Sequence, residues 1–98
     1  MSRKIEPSDA QRKVLEVMQR AIAPQTKLRQ TKVSFRDAWS VEISVYPQYS
    51  SREEDRIVES LEALLDEAGI ETEDYSVGRT LPGGSRIESI VEVVLAGK

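Results

Sequence analysis

The chain has 98 residues, 39% of them hydrophobic and 32% charged, with a formal net charge of −3. A chain of this size folds around one core and exposes too much surface to enclose a deep cleft as well. It contains no cysteine and no histidine, which excludes disulfides, thiol nucleophiles and thiolate metal sites, and removes the commonest general base and neutral metal ligand.

The charge is split end from end. Residues 1–37 carry nine Lys/Arg against four Asp/Glu, a net +5, and residues 38–98 carry five against thirteen, a net −8. Such a dipole favours polar contacts, either head-to-tail between copies or with a charged partner at one end. No apolar run approaches the roughly 18 residues of a membrane span, and no hydrophobic signal segment opens the chain. A soluble, cytoplasmic protein without membrane contact is expected.

Residues 1–7 are expected to be a flexible tail and residues 8–98 a single domain. Ser8 with Gln11 fits a capping box, with Pro7 ahead of it, so a helix starts there. Val14, Leu15, Val17, Met18, Ala21 and Ile22 recur at helical spacing, and Pro24 ends the run. Residues 25–32 are polar and basic. Val33 and Phe35 alternate with Ser34 and Arg36, a short strand, and Asp37-Ala38 reads as a tight turn. Trp39, Val41, Ile43 and Val45 alternate with Ser40, Glu42, Ser44 and Tyr46. One face of this second strand is therefore buried and one wet, and Pro47 closes it.

Ser50 and Ser51 are both N-cap candidates, followed three residues later by Glu53 and Glu54. Ile57, Val58, Leu61, Leu64, Leu65 and Ala68 form the apolar stripe of the second helix, and Gly69 suits the left-handed residue beyond its end. Residues 75–81 and 86–95 read as a hairpin around Pro82-Gly83-Gly84-Ser85. A register that sets Leu81 opposite Arg86 also pairs Arg79 with Glu88 and Val77 with Ile90, matching charge to charge and apolar to apolar. The order is α-β-β-α-β-β: an α+β domain with two helices packed on an antiparallel or mixed four-stranded sheet. The helix between the second and third strands can act as a right-handed crossover.

Three surfaces are candidates for function. The last strand is apolar on both faces. In the expected register Tyr75, Val77, Arg79, Glu88, Ile90 and Val94 share the outer face of the hairpin, an apolar centre in a charged frame suited to a partner chain. The alternative is burial of both faces. Asp55, Glu59, Glu62 and Asp66 follow i, i+4, i+7, i+11 on the second helix. This acidic stripe suits a basic partner or a mimic of a phosphate row; its plainer reading is a solvated face. Lys27, Arg29, Lys32 and Arg36 form a basic segment that suits phosphate, but it holds no glycine, and its one aromatic, Phe35, belongs to the strand pattern. Its plainer reading is pairing with carboxylates of the same or another molecule. Tyr46 and Tyr49 are either interface anchors or packed over the sheet edge, and Trp39 is a core residue. Pro82–Ser85 lacks the spacing of a phosphate loop.

No catalytic constellation emerges, and neither a cofactor nor a metal is expected. The leading expectation is a non-catalytic interaction or assembly module, binding a protein partner or a second copy as a homo-oligomer through the outer hairpin face. The alternatives are nucleic-acid association through the basic segment, or an acidic inhibitor of a nucleic-acid-binding protein.

Overall fold

The computed structural model describes residues 8–79 and 87–96. The expected N-terminal tail, the Leu81–Arg86 pair and the Pro82–Ser85 tip lie outside the described residues.

Helix α1 spans Asp9–Ile22 and starts on the expected capping box. Ser8 Oγ accepts from the Gln11 amide at 3.1 Å, and Gln11 Oε1 accepts from the Ser8 amide at 2.9 Å. Gln11 does more than cap. Its side chain is buried, and its Nε2 donates to Asp37 O at 2.8 Å and Ser40 O at 3.0 Å. The helix start is thus tied to the turn that opens the second strand. Pro24 lies in a short 3-10 segment, Ala23–Gln25, which carries the chain off the helix end.

A turn over Thr26–Arg29 follows, closed by the Arg29 amide donating to Thr26 O at 3.1 Å. Its third residue, Leu28, has φ +65°, in the left-handed region where a side chain crowds its own backbone. Nothing covers that side chain: its relative exposure is 104%. Replacing Leu28 with glycine should therefore raise stability by about 1 kcal/mol, a melting-temperature gain of about 4–8 °C by calorimetry. An unchanged or lowered melting temperature would show that the turn carries no strain.

Strand β1 spans Gln30–Ser34 and β2 spans Ser40–Tyr46. The first begins earlier than the Val33–Phe35 pattern suggests, because Gln30–Lys32 gain ladder partners in Tyr46–Ser44. Asp37 forms the turn between them, its Oδ1 accepting from the Trp39 and Ser40 amides at 2.8 and 3.0 Å. Helix α2, Ser51–Glu67, uses Ser50 as its cap, in a reciprocal box with Glu53. It ends on a Schellman motif. The amide of Gly69, at φ +69°, donates to Asp66 O, and that of Ile70 to Leu65 O.

Strands β3, Thr72–Arg79, and β4, Ser89–Leu95, complete one sheet in the order β1-β2-β4-β3. All neighbours are antiparallel. Strands β2 and β3 run the same way with β4 between them, so α2 bridges across β4. The two helices pack on each other and share one face of the sheet. Between the layers lie Val14, Met18 and Ala21 of α1, Ile57, Leu61 and Leu65 of α2, Val41, Ile43 and Val45 of β2, and Val91, Val93 and Leu95 of β4. Trp39 and Leu64 pack against this core from its margin. Ala68, expected on the α2 stripe, is exposed.

The hairpin register differs by one residue from the charge-matched one. Arg79 faces Ser89, Val77 faces Val91 and Tyr75 faces Val93. An irregularity between Thr72 and Asp74 shifts the ladder. Burial decides this register, because it sets Val77 and Tyr75 beside the fully buried Val91 and Val93. A surface ion pair and one apolar pair are the weaker claim.

Candidate interaction surface

The opposite face of the sheet has no helix over it among the described residues. Alternation along the strands sends Glu42, Ser44 and Tyr46 of β2, and Ile90, Glu92 and Val94 of β4, to this side. The register sets Glu42 opposite Glu92, Ser44 opposite Ile90 and Ser40 opposite Val94. Tyr46, Ile90 and Val94 are half-buried there. On β3 the neighbour of Ile90 is Gly78, and a Cβ built at Gly78 meets nothing within 4 Å. An open slot therefore flanks Ile90. A recess of about 340 Å³ lies on the β1 side, lined by Gln30, Thr31, Lys32, Ser44, Tyr46 and Glu88.

The one-residue register difference redraws the expected partner-binding surface. Glu88, Ile90 and Val94 belong to the outer side, as expected. Tyr75, Val77 and Arg79 do not. Residues directly opposite each other share a face, so these three lie on the helix side with Ser89, Val91 and Val93. Tyr75 and Val77 pack against the core. Arg79 reaches α2, where its Nε and Nη2 each lie 3.3 Å from a carboxylate oxygen of Glu54. Asp74, Ser76 and Gly78 take their places on the outer face.

This face is acidic and only partly neutralised. Glu42 and Glu92 face each other directly, and like charges so placed destabilise a ladder. Their side chains keep 18% and 26% exposure, and one guanidinium spans both: Arg36 Nη1 is 3.6 Å from Glu42 and 3.5 Å from Glu92.

The four cations of the basic segment stand in different settings. Arg36 is committed to those two carboxylates, and Arg29 is built into the fold. Arg29 donates from Nε to Pro47 O at 3.0 Å and makes a fork with Glu53, at 3.1 Å from Nη1 and 3.2 Å from Nη2. Its guanidinium also lies 5.1 Å from the centre of the Tyr49 ring. Lys27 and Lys32 are exposed, but one sits on the turn and the other on the outer sheet face. The acidic stripe stands as expected on the solvent side of α2, with Asp55, Glu59, Glu62 and Asp66 all exposed. No ion pair between described residues involves them.

Two polar nodes join segments distant in sequence. Tyr49 is buried, its hydroxyl 2.6 Å from Thr26 Oγ1 and its amide donating to Ser89 Oγ at 2.8 Å. Burial raises its phenol above the ordinary range, against the opposing pull of Thr26 and Arg29. Glu53 is held below the usual carboxylate value, first by the hydrogen bond from the Ser50 amide and further by Arg29, against some desolvation. The capping box points to Glu53 from sequence; nothing local points to Arg29 or to Gln11 as long-range ties.

No protein-family model matches the chain, and no curated protein matches it. No helix among the described residues is long and apolar enough to cross a membrane.

Proposed function

We propose that the chain is a non-catalytic, cytoplasmic protein-interaction module whose sheet face opposite the helices binds a protein partner with a basic rim around an apolar centre. The observation that carries this reading is the outer face itself: Ile90, Val94 and Tyr46 half-buried inside a frame of Glu42, Glu88, Glu92 and Asp74. Apolar centre with charged rim is the anatomy of an interface. A cation from a partner would relieve the opposed Glu42 and Glu92, and an apolar side chain would fill the slot beside Ile90. The same charges argue against stacking this face on its own copy, which would oppose carboxylates to carboxylates.

The engagement of Arg29 and Arg36 with carboxylates also weighs against nucleic acid as the partner, since phosphate contacts need cations that are free to release counterions.

Ile90→Lys tests the proposal. The side chain is half-exposed, so the variant should keep its circular dichroism spectrum and melt within a few degrees of the wild type. An unpaired charge at the centre of an interface costs several kcal/mol, so proteins retained by the immobilised wild type should be lost by Ile90→Lys. Glu92→Lys should lose the same set. Equal retention by all three chains would remove the sheet face as the binding surface. Unfolding of Ile90→Lys would place that residue in the core.

A further inference from the structure

We infer that the chain also self-associates head to tail, the Leu28 turn of one copy entering an apolar groove at the far end of the next. This contact uses neither the sheet face nor its proposed partner.

The two elements lie at opposite ends of the molecule. The groove, about 700 Å³, is formed where α1 begins, α2 ends and β4 ends, and its apolar lining includes Ala10, Ala38, Trp39, Ile70, Leu95 and Ala96. Leu28 follows the other end of α1, a helix of 14 residues and so about 21 Å long. Knob and hole placed this way are a heterologous pair: each copy offers one of each, and association continues from copy to copy.

Leu28 is presented as a knob should be. It is the most exposed large apolar side chain of the described residues, held in a conformation that leucine disfavours. The next residue, Arg29, is clamped by Pro47 O and Glu53, so the turn is pre-organised and little freedom remains to lose on docking. Strain kept in a rigid, exposed position points to a function there.

The charges match end to end. Around the turn the exposed residues Lys27, Arg52 and Arg56 stand against Asp55 alone. Around the groove Asp9, Asp66, Glu67, Glu71 and Glu73 outnumber Arg12, Lys13 and Arg20. The contact is small, so it should be weak and sensitive to salt.

Sedimentation velocity on the full chain tests this. The wild type should gain mass steadily up to about 1 mM without stopping at a dimer, and less so at about 0.5 M salt. Leu28→Gly removes the knob and should be monomeric with no loss of melting temperature. Ala10→Arg places a long cation across the groove from an exposed helix position and should also be monomeric. Mixed together, these two should form a one-to-one dimer that grows no further, because one retains a groove and the other a knob. A monomeric wild type at the highest concentration overturns the inference, as does a Leu28→Gly chain that associates like the wild type. Association abolished by Ile90→Lys but untouched by Leu28→Gly would assign it to the sheet face instead.

Discussion

Leu61→Ala is expected to lower the stability of this domain by about 2–5 kcal/mol, a fall of about 8–40 °C in melting temperature. Leu61 is fully buried at the middle of the α2 stripe, between Ile57 and Leu65. It faces a sheet of valines and isoleucine that cannot collapse into the space left behind. The loss therefore combines transfer of the side chain to water with a cavity. A domain of this size has only about 5–15 kcal/mol in reserve, so the variant should be partly unfolded at physiological temperature. Leu64 is a sharper control than a surface residue. It lies on the same apolar pattern but is half-buried at the edge of the core, so Leu64→Ala should cost about 1–2 kcal/mol. Urea melts of the two variants read this difference directly. Equal losses would mean that α2 is rotated about its axis from the orientation described.

The second large effect belongs to Arg29. Arg29→Ala should cost about 2–3 kcal/mol, the range of charge-assisted hydrogen bonds lost from a partly buried site. It removes the fork to Glu53, the donation to Pro47 O and the contact with the Tyr49 ring, loosening the start of α2 from the turn before β1. Arg29→Lys should rescue little, because an ammonium has no planar fork. The same node sets an acid dependence. The Glu53 carboxyl titrates below its ordinary value of 4.5 in the folded chain. Its contribution to stability is therefore present above the ordinary value and lost as pH falls through the lowered one. Glu53→Gln keeps the shape of the capping box and removes the charge. It should be less stable than the wild type at neutral pH and lose less on acidification below about pH 4.5. Parallel acid profiles for the two chains would show that Glu53 does not carry this dependence.

Local chemistry wrote much of this fold into the sequence. Ser8 with Gln11, Ser50 with Glu53, and Gly69 mark helix ends by which backbone groups they can satisfy, and such interactions span only a few residues. The alternation of Val41, Ile43 and Val45 with Glu42, Ser44 and Tyr46 fixes which side of β2 is wet for the same reason. What the sequence could not decide is what each element meets. Between Ser50 and Ser51 only the helix geometry chooses. The β3–β4 register turned on competition between surface charge pairing and burial of Tyr75 and Val77 against the helices, and the helices are distant in sequence. That single residue moved Tyr75, Val77 and Arg79 off the outer face and brought Asp74, Ser76 and Gly78 onto it. Arg29 and Arg36 look alike in a basic run, yet one is folded into the α2 start and the other spans Glu42 and Glu92. Glu53 lies 24 residues from Arg29, and the two glutamates stand on different strands, so the use of each charge is a property of the tertiary structure. The sequence by itself determined the elements and the wet and dry sides of α1, α2 and β2; the packing of helices on one face decided the register of β3 and so which residues the other face presents.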